Sequence, residues 1–511
     1  MRKCTLWILM LLCVTGLCGC GKKEEDTLVL RVCSWEEYID EGDWDEEDAI
    51  ELDNGEVIYG ENAMVEDFEA WYEETYGKKI RVEYSTVGTN EDLYNQLTMG
   101  DTFDLVCPSE YMLMKLMAED ELVPFSDEFY DTTVEENYYS RGVSPFIKDV
   151  FEDLSINGES LDRYAAGYMW GTLGIVYNPD IISEEDARSW DLFLNEKYKK
   201  RVTIKDSVRD SFFGAIAVYY QDLLLSEEFL NAPDYKVRLS ELLNDTSEET
   251  LSGVEQILSD MKENVYSFET DAGKADLVTG KVAANMQWSG DAVYSIDQIE
   301  EEGVELSYSV PKEGANIWFD GWGMLKCGID GDAERQQAAE AFVNFVSRPD
   351  NVVRNMDYIG YTSVIAGGED DTVFQYVLYN YAAEEEEDAD ETGEKGTDED
   401  TVTGEADADE EAVEGEGYES STEEENDANT DIEASEEIAE YPLGYFFSPT
   451  GNPEDSDFVV FCEQSQTKRQ LYAQYPPAED MERCVVMDYF DPDENERINQ
   501  MWINIRCMKL W

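Results

Sequence analysis

Along this sequence an aromatic residue repeatedly stands beside a carboxylate where an apolar strand-like run ends. Trp35 is followed by Glu37 and Tyr38, Trp288 by Ser289-Gly290-Asp291, and Trp318 by Phe319-Asp320. Asp210 opens a helix after the run Val202–Lys205, Ser109 and Tyr111 follow Phe103–Cys107, and Tyr361 follows Ile359-Gly360. In open α/β sheets a ligand sits beyond the carboxyl ends of the strands, so these groups can converge on one crevice. The chemistry they suit is capture of a linear polyamine. Each ammonium stripped of water needs a carboxylate, because an unpaired buried charge is very costly. The methylenes between need flat apolar walls, and indole and phenol faces supply these with a cation–π attraction of about 0.5–2 kcal/mol. Taken singly, each aromatic fits core packing and each carboxylate a solvated surface. The signal is the recurrence.

Composition narrows the alternatives. The 511 residues include 119 Asp and Glu against 36 Lys and Arg, a formal charge of −83, and no histidine. Without imidazole, Ser-His-Asp and Cys-His nucleophiles, HExxH zinc sites and all histidine-ligated metals are excluded. A glycosidase built on two carboxylates about 5–10 Å apart stays chemically open. No acid has a context that marks it as buried and protonated, so no catalytic residue, cofactor or metal site is assigned and the chain reads as a binding protein, not an enzyme. The acidic surface repels nucleic acid phosphates and anionic lipid head groups, leaving cationic solutes as natural partners. The competing binding reading keeps the same cleft for another small amine, a sugar or a metal complex. A structural or adhesive role for the acidic tract described below is the remaining alternative.

The elements that must position these residues alternate between strand and helix. Leu28–Ser34 predicts a buried first strand, and Asp53-Asn54-Gly55 a surface hairpin within residues 40–62. Val65, Phe68, Trp71, Tyr72 and Tyr76 fall at helical spacing ahead of Gly77, which suits a C-terminal cap. Lys79–Val87 reads as a strand, Asn90–Met99 as a helix, and Phe103–Cys107 as a short buried strand. A second stretch carries strands at Thr172–Tyr177, Val202–Lys205, Val282–Trp288 and Ser307–Val310, with helices Asp210–Leu224 and Arg335–Ser347. Such regular alternation predicts an α/β fold with a mostly parallel sheet, on a chain long enough for two lobes.

The ends and the interior carry addresses and spacers. Arg2 and Lys3 precede the apolar run Trp7–Val14, too short to span a bilayer and laid out like a secretory signal. Leu17-Cys18-Gly19-Cys20 resembles a bacterial lipobox with Cys20 lipidated, giving a signal peptide over 1–20, a tether over 21–27 and a lipid anchor on the extracytoplasmic face of the cell membrane. Residues 384–440 hold 28 acidic residues and one lysine, Lys395, with almost no large apolar side chain, and predict a disordered insertion. Six cysteines remain after the signal: Cys33, Cys107, Cys327, Cys462, Cys484 and Cys507. Export permits disulfides, and pairing Cys462 with Cys484 or Cys507 is preferred as the easiest to close, among fifteen patterns.

Five motifs together resemble a known family. Leu30–Tyr38 with Trp35-Glu36-Glu37-Tyr38, Phe103–Ser109, Trp170-Gly171-Thr172, Trp288-Ser289-Gly290-Asp291 and Ile359-Gly360-Tyr361 stand in the order found in spermidine/putrescine-binding proteins of bacterial ABC importers. The resemblance covers about 28–365, with a weaker echo over 465–511. It implies a two-lobed periplasmic-binding-protein fold that closes by hinge motion on its ligand and delivers it to a permease pair driven by an ATPase. It further implies a monomeric lipoprotein with lobe 1 at 28–163 plus about 317–365, and lobe 2 at 164–316 plus about 441–511. On this resemblance Trp35 and Tyr38 wall the methylenes and Glu37 meets an ammonium. Ser109 and Tyr111 match the family in the first lobe, and Trp288, Trp318, Asp320 and Tyr361 match both ligand types. Asp210 replaces a family glutamate, and Ser207 replaces the aspartate of spermidine-type members. Asp291 matches putrescine-type members, a slight lean to putrescine. A family glutamine near the C-terminus has no counterpart; Met487-Asp488 is nearest.

Overall fold

The computed structural model describes residues 27–270, 272–300, 303–383 and 437–507. The expected signal peptide, the lipidated Cys20, the tether up to residue 26 and the acidic tract over 384–436 lie outside the described residues. The tract's expected end is corrected: Ile438–Pro442 is a strand, paired antiparallel with Val459–Glu463.

A sheet of twelve strands runs through the molecule. Eight form its main path: β1 (Leu28–Trp35), β2 (Ile80–Val87), β3 (Leu105–Val106), β4 (Ala165–Tyr177), β5 (Val202–Lys205), β6 (Phe268–Glu269), β7 (Ala284–Trp288) and β8 (Ala315–Leu325). Their order is β6-β5-β7-β4-β8-β3-β1-β2. The ladders β1–β2, β1–β3, β5–β6 and β5–β7 are parallel, as helical crossovers between strands require. The two central strands, β4 and β8, are antiparallel to each other and to their outer neighbours.

These two strands tie the halves together. Every residue of β4 and of β8 is buried, which explains their near-continuous apolar sequences. β4 extends seven residues before the predicted start at Thr172. Its first half, with Trp170, joins the larger of two apolar cores, whereas Leu173, Ile175 and Tyr177 join the second. Residues 441–475, expected wholly with the second lobe, put their large apolar side chains in the larger core: Phe446 stacks on Trp170 at 5.4 Å. Val485, Met487, Phe490, Ile498, Met501 and Ile505 join the second core.

Local signals behave as their chemistry dictates. Helix α1 (Met64–Tyr76) stops at Gly77 in the left-handed conformation, and helix α2 (Asn90–Met99) begins behind Thr89, whose hydroxyl accepts from the Asp92 amide. The hairpin in 40–62 pairs Ile50–Glu51 with Val57–Ile58. All six described cysteines are free thiols, so the preferred pairing of Cys462 is corrected: it lies buried in the strand Val459–Glu463 while Cys484 lies buried beside β8.

One ion cluster fastens residues 40–62 to the body. Arg354, 4% exposed, donates from Nε to Asp40 Oδ2 at 2.8 Å, from Nη1 to Asp67 at 2.8 Å and from Nη2 to the Asn62 carbonyl at 2.8 Å. Asp40 also accepts from the Gly42 amide and the Trp44 indole. Removing the cation leaves a buried carboxylate unpaired. Arg354→Met is expected to destabilise the protein by roughly 3–5 kcal/mol in urea unfolding; a loss under about 1 kcal/mol would show that the cluster is solvated.

Candidate functional site

The site is assembled from strand-to-helix junctions and from the middle of β8. β1 ends at Trp35, and Glu37 takes a left-handed conformation, φ 53°, that turns the chain inward at Tyr38. Helix α3 (Glu110–Ala118) starts after Ser109, helix α4 (Val208–Leu224) after its N-cap Ser207, and helix α5 (Ser289–Glu300) directly after β7. β8 carries Trp318 and Asp320 two residues apart, on one side of the strand, with a register shift immediately after Asp320.

From these positions the side chains form a connected circuit. Asp320, 6% exposed, accepts a hydrogen bond from the Tyr38 hydroxyl at 2.7 Å. The Tyr38 ring meets Tyr361 edge-on at 5.9 Å, and Tyr361 packs on Trp318 at 5.6 Å. Tyr361 donates to Asp291 Oδ1 at 3.2 Å. Asp291 takes two chain cations, Lys274 at 3.0 Å and Lys205 at 3.5 Å, and Lys205 stands 4.0 Å over the Trp288 ring. The Trp288 indole donates to Asp210 Oδ1 at 3.3 Å. Next to Asp210, Arg209 covers the Tyr111 ring at 4.1 Å, and Tyr111 donates to Glu91 at 3.2 Å. Ser109, bridged to Asp320 through the backbone and hydrogen-bonded to Asn90, completes the loop.

Of the residues singled out from sequence, Tyr38, Ser109, Tyr111, Asp210, Trp288, Asp291, Trp318, Asp320 and Tyr361 thus meet. Trp35 is half-buried beside Asp320, and its indole N–H has no hydrogen-bond partner in good geometry. Glu37 stands apart: its side chain is exposed at the turn. Six members had no site role in the sequence reading: Asn90, Glu91, Glu110, Lys205, Arg209 and Lys274. Glu110 sits between Ser109 and Tyr111, and Lys205 and Arg209 flank Ser207, so adjacency to named residues was the available signal. Met487 and Asp488 contribute backbone: Arg209 Nη2 donates to their carbonyls at 3.2 and 2.9 Å.

Two glycines in the motifs are required by close approach. A Cβ on Gly290 would lie 2.0 Å from the Tyr361 ring, and one on Gly171 would lie 2.3 Å from Ser289 Oγ and 2.6 Å from Trp318.

Burial sets the electrostatics. The Asp320 carboxyl is pushed up from 3.8 to about 6 by desolvation, against the opposing pull of Tyr38, Ser109 and Trp35 as donors. Desolvation likewise raises Glu110 from 4.5 to about 7, although Arg209 and the Phe319 amide, 3.1 Å from its Oε2, favour the anion. Asp210 is raised by burial too, with Ser207, Lys205 and Trp288 opposing. The site therefore holds carboxylates whose ionised form costs free energy. Among the described residues no group of three His, Cys, Asp or Glu is placed to hold a metal ion, and no helix is long and apolar enough to cross a membrane.

The sequence and the fold both find relatives. Residues 63–376 match the family model of the bacterial extracellular solute-binding proteins. The putrescine-binding periplasmic protein PotF of Escherichia coli is 28% identical over 296 residues, 56% of this chain and 71% of that one. A spermidine/putrescine-binding periplasmic protein of Salmonella typhimurium is 26% identical over 284 residues, 55% of this chain and 70% of that one. The crystal structure of the spermidine/putrescine transporter substrate-binding protein PotD from Streptococcus pneumoniae superposes with a TM-score of 0.54 at 20% identity, covering 94% of this chain and 99% of that one. That likeness extends to fold, the two-lobed α/β architecture predicted above.

The raised Asp320 carboxyl has a consequence for stability. Its proton is held more tightly folded than unfolded, so its contribution is complete below about pH 3.8 and lost as pH rises through about 6. Urea titrations of ligand-free protein between pH 4 and 7 are expected to show a term on the order of 3 kcal/mol that vanishes in Asp320→Asn; an identical pH profile in the variant would rule this out.

Proposed function

The chain belongs to the bacterial extracellular solute-binding proteins, and from that premise we propose that it captures a polyamine, putrescine or spermidine, between its lobes for import by an ABC transporter. The observation that carries this reading is the circuit from Asp320 through Tyr38 and Tyr361 to Asp291, in which acids from distant chain segments meet across aromatic faces. In this proposal one ligand ammonium pairs with Asp320 in place of the proton. Trp35, Tyr38, Trp318 and Tyr361 wall the methylenes, and Asp210, Asp291 and Trp288 form the far end, with Ser109 and Tyr111 at the rim and Glu37 at the exposed mouth. The names of the relatives support the ligand class, since both are putrescine or spermidine binders.

We further propose that the lobes, 28–163 with about 317–365 and 164–316 with the closing segment 484–507, hinge where β4 and β8 pass between them. Delivery then goes to a permease pair powered by an ATPase, with the protein monomeric and held at the extracytoplasmic face by acylated Cys20. The acidic excess supports a cationic solute but does not choose it.

Calorimetry of the purified chain is expected to give micromolar or tighter binding of putrescine or spermidine. Silence with both, while sugars or amino acids bind, would overturn the proposal. Within the site, Asp320→Asn is expected to cost about 2–5 kcal/mol of affinity because it strands an ammonium. Trp288→Phe, which keeps a ring, is expected to cost less, about 1 kcal/mol; the reverse order would move the primary amine contact to Trp288.

A further inference from the structure

At the Trp288 end of the circuit stands an ammonium that is the chain's own. Lys205 closes β5 with 1% of its side chain exposed. Its Nζ lies 4.0 Å over the Trp288 ring and 3.5 Å from Asp291 Oδ2, and donates to the Thr270 carbonyl at 3.1 Å. An aromatic face, a carboxylate and a carbonyl are what an alkylammonium ligand would require, and Lys205 has taken all three. Lys274 adds a second positive charge to Asp291 at 3.0 Å. Asp291 therefore faces two ammoniums that belong to the protein, whereas Asp210 is hydrogen-bonded to the Trp288 indole and makes no ion pair with either.

The other end is different. Asp320 is hydrogen-bonded to the Tyr38 hydroxyl, and its other described influences, Ser109 and Trp35, are neutral donors. Of the acids in the circuit, Glu91 is exposed to solvent, Glu110 is held by the Phe319 amide and Asp291 is paired with Lys205 and Lys274, which leaves Asp210 and Asp320 as the two buried carboxylates with no chain cation in ion-pair contact among the described residues. A third ligand ammonium would find no uncompensated acid and would approach Lys205 in a desolvated site, where like charges repel strongly.

We propose that Lys205 is a specificity-determining residue that limits the ligand to a diamine, by occupying the ammonium place over Trp288 and neutralising Asp291. The inference rests on the amine-binding reading above and goes further, because it assigns a ligand charge count to one residue. Removing the lysine's charge while keeping the site's acids vacates a third ammonium place.

The test is calorimetry with putrescine and spermidine at one ionic strength, on the full chain and on Lys205→Met. The unsubstituted protein is expected to favour putrescine by about tenfold or more, about 1.4 kcal/mol. In Lys205→Met the spermidine affinity is expected to rise by about tenfold or more while putrescine changes less, so that the preference narrows or inverts. Lys205→Gln, neutral and of similar reach, provides the same comparison should the methionine variant fail to fold. Amine binding with an unchanged putrescine-to-spermidine ratio in the variant, or a spermidine preference in the unsubstituted chain, overturns this inference alone. Absence of binding to either amine by the unsubstituted chain overturns the amine reading, and this inference with it.

Discussion

A carboxylate taken out of water must be met by protons, donors or cations, and that requirement organises this molecule. Asp320 is buried at the centre of the long strand β8 with one hydroxyl donor and no chain cation among its described partners. Its ionised form is therefore held at a cost, recorded in the upward displacement of its pKa. A ligand ammonium would relieve that cost, whereas an apolar residue of similar volume would remove both the cost and the reason to bind. The same requirement explains Arg354, where a guanidinium satisfies Asp40 and Asp67. Two buried acids in one protein thus differ: Asp40 is paired with a guanidinium and fastens a hairpin, while Asp320 has no chain cation among its described partners and, in the proposed function, receives the ligand's.

Placing such a group demands a rigid frame that can still change shape. β4 and β8 are long, wholly buried and paired with each other, so their side chains keep a fixed register from one core to the other. The functional groups occur where shorter strands give way to helices around this pair. The close packing of Tyr361 over Gly290 and of Trp318 over Gly171 leaves no room for a Cβ. Tyr361 touches Tyr38 on one side and Asp291 on the other, so lobe separation in the proposed motion would break the circuit first at this residue.

Much of this was legible before any coordinates. Trp288 and Asp291 lie where a strand gives way to a helix, as the aromatic-beside-acid pattern predicts, but Trp318 and Asp320 stand in the middle of β8 and not at its end, because the strand continues to Leu325. Helix spacing and the Gly77 cap located α1 to within a residue. Other features were not legible. Glu37 lies one residue into a left-handed turn, and alternation cannot say which way a side chain leaves such a turn. Lys205 looked like an ordinary polar end to a strand, because only the register of β5 on β7 and the fold-back of residue 270 bury it. Glu110 looked like a helix-start acid, and its amide partner, Phe319, is 209 residues away. The thiols could not be paired from sequence because pairing depends on which strands are neighbours.

The net charge explains less of the selectivity than its size suggests. Without the acidic tract the chain still carries −56, yet at physiological ionic strength exposed charges act over a Debye length of about 8 Å. Such a surface enriches every cation near it and raises encounter rates, without distinguishing a diamine from a triamine or from an inorganic ion. Discrimination has to come from the desolvated circuit, where water no longer screens and each added charge must find its own partner. There the decisive quantity is which buried acids the chain's own cations already pair, Asp291 with Lys205 and Lys274, and which they leave, Asp210 and Asp320. An acidic protein that binds cations selectively needs positive charges inside its site, because they convert a general attraction into a count.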